Sequence, residues 1–222
     1  MTWAPYYQDE WTTIYHGDCR DVMEEVDLEA AILLTDPPYG INAEQGQQQR
    51  AGRQDGNAMA PSSGYAIGGW DAEPVDMRTI LQLKRLAPHA IIWGGNYYAL
   101  PPTGAWLIWD KQTGSNGYAD CEMAWTSLTQ AARLYSHQWK GMLRASERQK
   151  RIHPTQKPVQ LMSWCLGFVE APGVVLDPFM GSGPVARAAR DAGRKYIGIE
   201  ISEQYCEWVV ENRLSQQVMD FA

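Results

Sequence analysis

The chain has 222 residues, 45% hydrophobic and 20% charged, enough for one substantial core and too apolar for wholesale disorder. Its formal net charge of -7 argues against a protein that coats nucleic acid regardless of sequence, because phosphate neutralisation is the main contribution to such binding. No apolar run approaches the ~18 residues of a membrane span, and Met1-Thr2-Trp3-Ala4-Pro5 has neither a basic start nor an apolar signal core, so a cytoplasmic protein without a membrane partner is expected.

Modest alternation over Thr12 to His16 predicts a short strand that ends at Gly17-Asp18 and is followed by a helix through Val22 to Val26. The continuous apolar run Ala30 to Thr35, ending in Asp-Pro-Pro, has the pattern of a buried parallel strand. Asn42 to Gly69 lacks hydrophobic periodicity, is rich in Gln, Gly, Ala and Ser, and is read as a mobile functional loop. Helical spacing of Ile80, Leu81, Leu83 and Leu86 predicts a helix over Met77 to Leu86, and Ala90 to Trp93 the next strand. Trp106 to Trp109 and Glu122 to Trp125 are further strands.

Pro158 to Val169 is predicted helical and Val174 to Leu176 a strand. Pro184 to Ala192 is a helix with proline in its first turn, where a missing N–H costs little. Lys195 to Ile199 is another strand, and Ser202 caps a last helix reaching about Val218. Interleaved strands and helices without repeat or linker imply one α/β domain over residues 1–222, with a mainly parallel sheet covered by helices on both faces.

Cys19, Cys121, Cys165 and Cys206 form no CxxC pair, so reduced, mostly buried thiols and no metal centre are expected. Ten tryptophans and eleven tyrosines suit core packing for the most part, with some available to stack on bases. Charge is segregated. Arg133, Lys140, Arg144, Arg148, Lys150, Arg151 and Lys157 face a single acid, Glu147, within 25 residues. Such a strip suits a DNA contact, and a solvated face would have the same composition.

Two motifs carry chemistry. Val174 to Leu176 runs into Asp177-Pro178-Phe179-Met180-Gly181-Ser182-Gly183 and then a helix, which puts a tight glycine turn at the carboxyl end of a strand, where doubly wound sheets bind ligands. The following strand ends at Glu200, whose carboxylate suits the two hydroxyls of a ribose. A plain tight turn would have the same local pattern, and the absence of GxGxxG and of Gly-Lys-Ser/Thr makes NAD and ATP weaker readings. In Asp36-Pro37-Pro38-Tyr39, adjacent prolines fix two φ angles and remove two donors, leaving a stiff rim of acceptors. An exocyclic amine on a base is a poor nucleophile because its lone pair is delocalised; acceptors on its N–H groups, here the Asp36 carboxylate and the Pro37 carbonyl, favour the nucleophilic form. Tyr39 offers an aromatic face for an extruded base.

Together, Asp36 to Tyr39, Phe179 to Gly183, and His153-Pro154-Thr155-Gln156-Lys157-Pro158 ahead of the cofactor strand resemble the motifs of β-group DNA amino-methyltransferases, in that group's order. Gly17-Asp18-Cys19 resembles the segment that contacts the cofactor's adenine. The likeness runs from about Ile14 to Asn212. It implies a Rossmann-like methyltransferase fold, circularly permuted so that the catalytic half precedes the cofactor half. It implies S-adenosylmethionine held by Asp18, Cys19, Thr155, Lys157, Asp177, Phe179, Gly181, Ser182, Gly183, Glu200 and Ile201, and a catalytic pocket of Asp36, Pro37, Pro38 and Tyr39.

Pro184 departs from the family's common Thr, and no large recognition domain separates the motifs. Contact with double-stranded DNA is therefore expected from the 42–69 loop, with Arg50 and Arg53, and from the basic 133–152 segment, with Lys140, Arg144, Arg148, Lys150 and Arg151. The resemblance implies adenine N6 methylation, with cytosine N4 methylation as the nearest alternative and a catalytically idle DNA-binding subunit as the alternative from another class. It also implies a homodimer, and it leaves open whether a companion restriction nuclease exists.

Overall fold

The computed structural model describes residues 3–40, 73–112, 119–140, 143–147 and 156–215, with backbone alone for Lys140, Leu143 and Arg144. In chain order the strands are β1 (Tyr7–Gln8), β2 (Thr12–His16), β3 (Ile32–Thr35), β4 (His89–Trp93), β5 (Leu107–Asp110), β6 (Cys121–Thr126), β7 (Arg133–Ser136), β8 (Trp139–Lys140), β9 (Leu143–Arg144), β10 (Val175–Asp177) and β11 (Tyr196–Glu200). The helices are α1 (Cys19–Glu25), α2 (Met77–Arg85), α3 (Val159–Leu166), α4 (Pro184–Asp191) and α5 (Glu203–Val209), the last continued by a π-helical turn, Val210–Leu214.

Nine strands form one sheet in the order β1-β2-β11-β10-β3-β4-β6-β5-β7, and β8 pairs with β9 in a separate hairpin. The run β2-β11-β10-β3-β4 is parallel throughout. β6 lies antiparallel between β4 and β5.

Every residue of β3 is buried, because both faces of the sheet are covered. Ile32 and Leu34 point to the side where Leu161, Met162 and Cys165 of α3, Val185 and Ala186 of α4 and Cys206 and Val209 of α5 pack. Leu33 points to the other, against Val22 of α1 and Ile80 and Leu83 of α2. The alternation along one strand therefore divides the core in two.

The chain ends of the helices follow local rules. Asp76 caps α2, accepting from the Thr79 N–H at 3.0 Å, and Lys84 and Arg85 sit in its last turn, where the helix dipole favours cations. Pro184 occupies the first turn of α4, directly after Gly183 at φ +67°. A side chain at Gly183 would strike Val209 of α5, so glycine is what lets the turn and that helix pack closely.

Several predicted elements differ in detail. The last helix breaks into a π turn after Val209 instead of running on as one α-helix, and Ser202, at its N-cap position, makes no side-chain capping bond; its own N–H goes to the Glu200 carboxylate at 2.9 Å. The start of the basic strip is the edge strand β7, paired parallel to β5; it carries no apolar run, and its Leu134 is 63% exposed. Cys19, Cys165 and Cys206 are buried thiols, whereas Cys121 is exposed. The 42–69 loop lies outside the described residues, among which no helix is long and apolar enough to cross a membrane.

Candidate active site

From β10 the chain proceeds to its neighbour β11 on one side, and from β3 to its neighbour β4 on the other. The sheet's direction of winding thus reverses between β10 and β3, and a crevice opens outside their carboxyl ends. A cleft of about 660 Å³ lies there, lined among others by Asp18, Asp36, Lys157, Asp177, Gly181 and Glu200. Of the predicted cofactor residues, Cys19, Phe179, Ser182 and Ile201 line it as well and Gly183 does not; of the predicted catalytic residues, Asp36 and Pro38 line it and Pro37 and Tyr39 do not.

On one wall, Gly181 at φ +52° turns its N–H onto Glu200 Oε2 at 2.8 Å, and Ser202 N–H binds Oε1 at 2.9 Å. Burial pushes the Glu200 carboxyl up, opposed by these backbone donors. An ionised carboxylate offers about four lone-pair sites, so each oxygen keeps one for a vicinal diol. Ile201 beside it is 61% exposed, an apolar surface of the kind a purine ring covers. The wall fits the ribose and base of an adenosine.

Asp18 lies on the same rim but is occupied locally: it caps α1 through the Arg20 N–H at 2.9 Å and pairs with the Arg20 guanidinium, which holds its carboxyl below the usual range. The Cys19 thiol, buried, is pushed up to about 12 and stays neutral. Ser182 is buried; its carbonyl accepts from Arg213 Nε at 3.1 Å. Asp177 accepts from the Thr35 hydroxyl at 2.8 Å and the Phe179 N–H at 3.3 Å. Burial outweighs these bonds and pushes its carboxyl to about 7. Thr155 lies outside the described residues.

On the other wall, Asp36 is engaged at both oxygens. Tyr39 hydroxyl donates to Oδ1 and the Lys157 ammonium pairs with Oδ2. Lys157 is only 3% exposed. It donates to Tyr39 Oη at 3.1 Å and lies 3.2 Å from Glu122 of β6, which is also paired with Lys111. Burial raises the Asp36 carboxyl despite the Lys157 charge. Burial also works to raise Glu122, but Lys157 and Lys111 together outweigh it and hold Glu122 at about 2. Burial works against the Lys157 ammonium, and its two carboxylate partners overcome it and raise its pKa.

Tyr39 is fixed from several directions. Its ring stacks on that of Tyr97 with centroids 5.0 Å apart and 16° between planes, so a base has less free ring face than the sequence implies. Gly94, at φ +64°, passes so close that a Cβ there would sit 2.0 Å from the ring. Tyr98 hydroxyl donates to the Pro38 carbonyl, pinning the double proline. The sequence reading missed Glu122, Lys111, Tyr97 and Tyr98. A glutamate within the otherwise apolar run Cys121 to Trp125 was the signal available for the first.

Lys157, assigned above to the cofactor, lines the cleft but donates to Asp36 and Tyr39 and pairs in charge with Glu122. Of the residues expected to meet DNA, Arg50, Arg53, Arg148, Lys150 and Arg151 lie outside the described residues, and Lys140 and Arg144 sit on the β8–β9 hairpin. Glu147, the lone acid of the strip, turns inward: it accepts from the Val159 N–H at 2.6 Å and from Arg213 at 2.7 Å.

Among curated proteins, YubD of Escherichia coli K12 is 52% identical over 56 residues, a quarter of each chain. The type II methyltransferase M2.LlaDCHI of Lactococcus lactis subsp. cremoris is 25% identical over 96% of this chain and 92% of its own length. Among solved structures, M1.HpyAVI in complex with SAM superposes with a TM-score of 0.59 at 21% identity, covering 92% of this chain and all of that one. The PvuII DNA methyltransferase, cytosine-N4-specific, gives 0.56 at 14%, covering 93% and 87%. These likenesses establish the α/β, Rossmann-like methyltransferase fold. The family model described as DNA methylase, for N6 and N4 methyltransferases, matches residues 92–211, more than half of the chain, and the chain therefore belongs to that family.

Proposed function

We propose that the protein transfers a methyl group from S-adenosylmethionine to adenine N6 in double-stranded DNA. The observation that carries this reading is the single cleft at the winding reversal, with Glu200 and the glycine turn on one wall and Asp36 on the other. S-adenosylmethionine supplies an electrophilic methyl on a sulfonium. Glu200 receives its ribose hydroxyls, and Ile201 and Phe179 flank its adenine.

The chain's own residues then act on the nucleophile. Each Asp36 oxygen keeps a lone pair beyond those taken by Tyr39 and Lys157, and with the Pro37 carbonyl it accepts the N–H groups of the target amine. Localising the amine's electron pair aims it along the sulfur–methyl axis. As the nitrogen–carbon bond forms and the sulfur–carbon bond breaks, the amine sheds one proton to Asp36 or to water. Tyr39 supplies the aromatic surface for the extruded base. The 42–69 loop and the basic 133–152 segment supply the phosphate and base contacts.

Mass spectrometry of nucleosides from DNA incubated with the protein and S-adenosylmethionine tests the reading. N6-methyldeoxyadenosine is expected. N4-methyldeoxycytidine alone would replace adenine by cytosine as the target, and DNA binding without cofactor binding would make the chain an idle subunit.

A further inference from the structure

Lys157 donates to Asp36 and to Tyr39 Oη at 3.1 Å, and its ammonium forms a second ion pair, at 3.2 Å, with Glu122 Oε2, a buried oxygen that accepts no hydrogen bond among the described residues. Neutralising a buried lysine needs one carboxylate, and Asp36 already provides it. The second, Glu122, costs desolvation of its own and draws in a further cation, Lys111. A buried ion pair is weak evidence for stability, and an additional one is weaker still. The cluster instead balances two ammoniums against two carboxylates across the site where a proton is to be released.

We propose that Glu122 is a positioning residue for methyl transfer, sharing the Lys157 ammonium so that Asp36 is held in place without being fully neutralised and remains an acceptor for the substrate amine. This rests on the reading of Asp36 as that acceptor. Without Glu122, Lys157 would give its whole charge to Asp36 and drain it of basicity. The direction agrees with the charge around Asp36. From β6, Glu122 raises its carboxyl; ahead of α3, Lys157 lowers it; from its own loop, Tyr39 hydroxyl lowers it by hydrogen bonding. Asp177, the acid on the adjoining strand β10, interacts with Asp36 electrostatically, and Tyr98 reaches this loop through the Pro38 carbonyl.

The test compares wild type with Glu122→Gln, which keeps the shape and removes the charge. The Asp36 carboxyl is titrated by carbon-13 NMR in the protein without DNA, assigned by loss of its signal in Asp36→Asn, and kcat and KM are measured against pH on DNA. The Asp36 midpoint is expected to move about one pH unit lower, the acid limb of kcat to follow it, and kcat to fall about tenfold with KM for S-adenosylmethionine within twofold. Glu122→Asp should recover part of both changes. An unmoved midpoint overturns the inference whether or not kcat falls, and so does a moved midpoint with kcat and its acid limb unchanged.

If Glu122→Gln does not fold, Glu122→Gln with Lys111→Gln removes one charge of each sign, and the same direction is expected. A wild type that methylates no DNA overturns the proposed function and with it the role in methyl transfer, whereas an unmoved midpoint in an active wild type overturns the role of Glu122 alone.

Discussion

The Thr35 hydroxyl donates to the Asp177 carboxylate across 2.8 Å, tying the carboxyl ends of β3 and β10 together where the cleft opens. Both residues are 1% exposed, so this bond lies inside the floor of the site.

Burial at that position has a pH signature. Asp177 keeps its proton in the folded protein up to about pH 7, whereas its ordinary value is 3.8; unfolding between those values releases a proton, and stability falls as pH rises through the window. Asp177→Asn retains an acceptor for Thr35 and carries no charge. Relative to wild type its melting temperature should gain progressively from pH 4 to pH 7 and level off above, at about 4 kcal/mol or roughly 8–16 °C. Calorimetry across pH checks this, and a constant offset would assign the perturbation elsewhere.

Glu200 organises the turn while keeping lone pairs for a ligand. Glu200→Ala removes the acceptor of the Gly181 and Ser202 N–H groups as well as the proposed ribose contacts. S-adenosylmethionine affinity by titration calorimetry should weaken about 10- to 100-fold, the scale of one or two hydrogen bonds to a charged group.

Asp36→Ala removes the carboxylate proposed to accept the amine and leaves Glu200 and the glycine turn in place. Methyl transfer should fall below detection while S-adenosylmethionine affinity stays within about threefold. Activity at the wild-type rate would remove Asp36 from the reaction.

Gly94→Ala places a methyl where the Tyr39 ring now lies, at a backbone angle that costs a non-glycine residue about 1–2 kcal/mol. The expected outcome is a folded protein, slightly lower in Tm, in which kcat for DNA drops about tenfold because the ring has moved. Unchanged kcat would mean that the ring's place is immaterial to transfer.

Arg213 is 6% exposed, bound to Glu147 at 2.7 Å and to the Ser182 carbonyl. Arg213→Ala strands the Glu147 carboxylate and should destabilise by about 3 kcal/mol, roughly 6–12 °C in thermal melting. It should also loosen the glycine turn, seen as weaker cofactor binding at temperatures where the variant is folded.

What the sequence disclosed follows from where the determinants lie. β3, β4, β10 and β11 were legible because strands covered on both faces must be continuously apolar, and the turn after β10 because glycine conformations leave a local mark. β1, β7, β8 and β9 were not, since strands of two to four residues at an edge have no period to display. Ser202 was read as a capping side chain, but the N–H groups of Tyr205 and Cys206 go to its backbone carbonyl, not to its hydroxyl. The Asp36–Lys157 pair spans 121 positions, and its partner Glu122 sits on a strand whose neighbours give no sign of a charge cluster. Such contacts exist only once the sheet order is known.

That order also bears on how the protein is made. β2 and β3 are synthesised early, yet what separates them in the sheet is β11 and β10, encoded some 140 residues later. A chain emerging from the ribosome therefore carries two unsatisfied β edges until residues near 200 are out, an arrangement that delays folding and invites chaperone capture. Because Asp177 and Glu200 lie on those last strands, the wall of the cleft that they form is completed only after residue 200 has been synthesised.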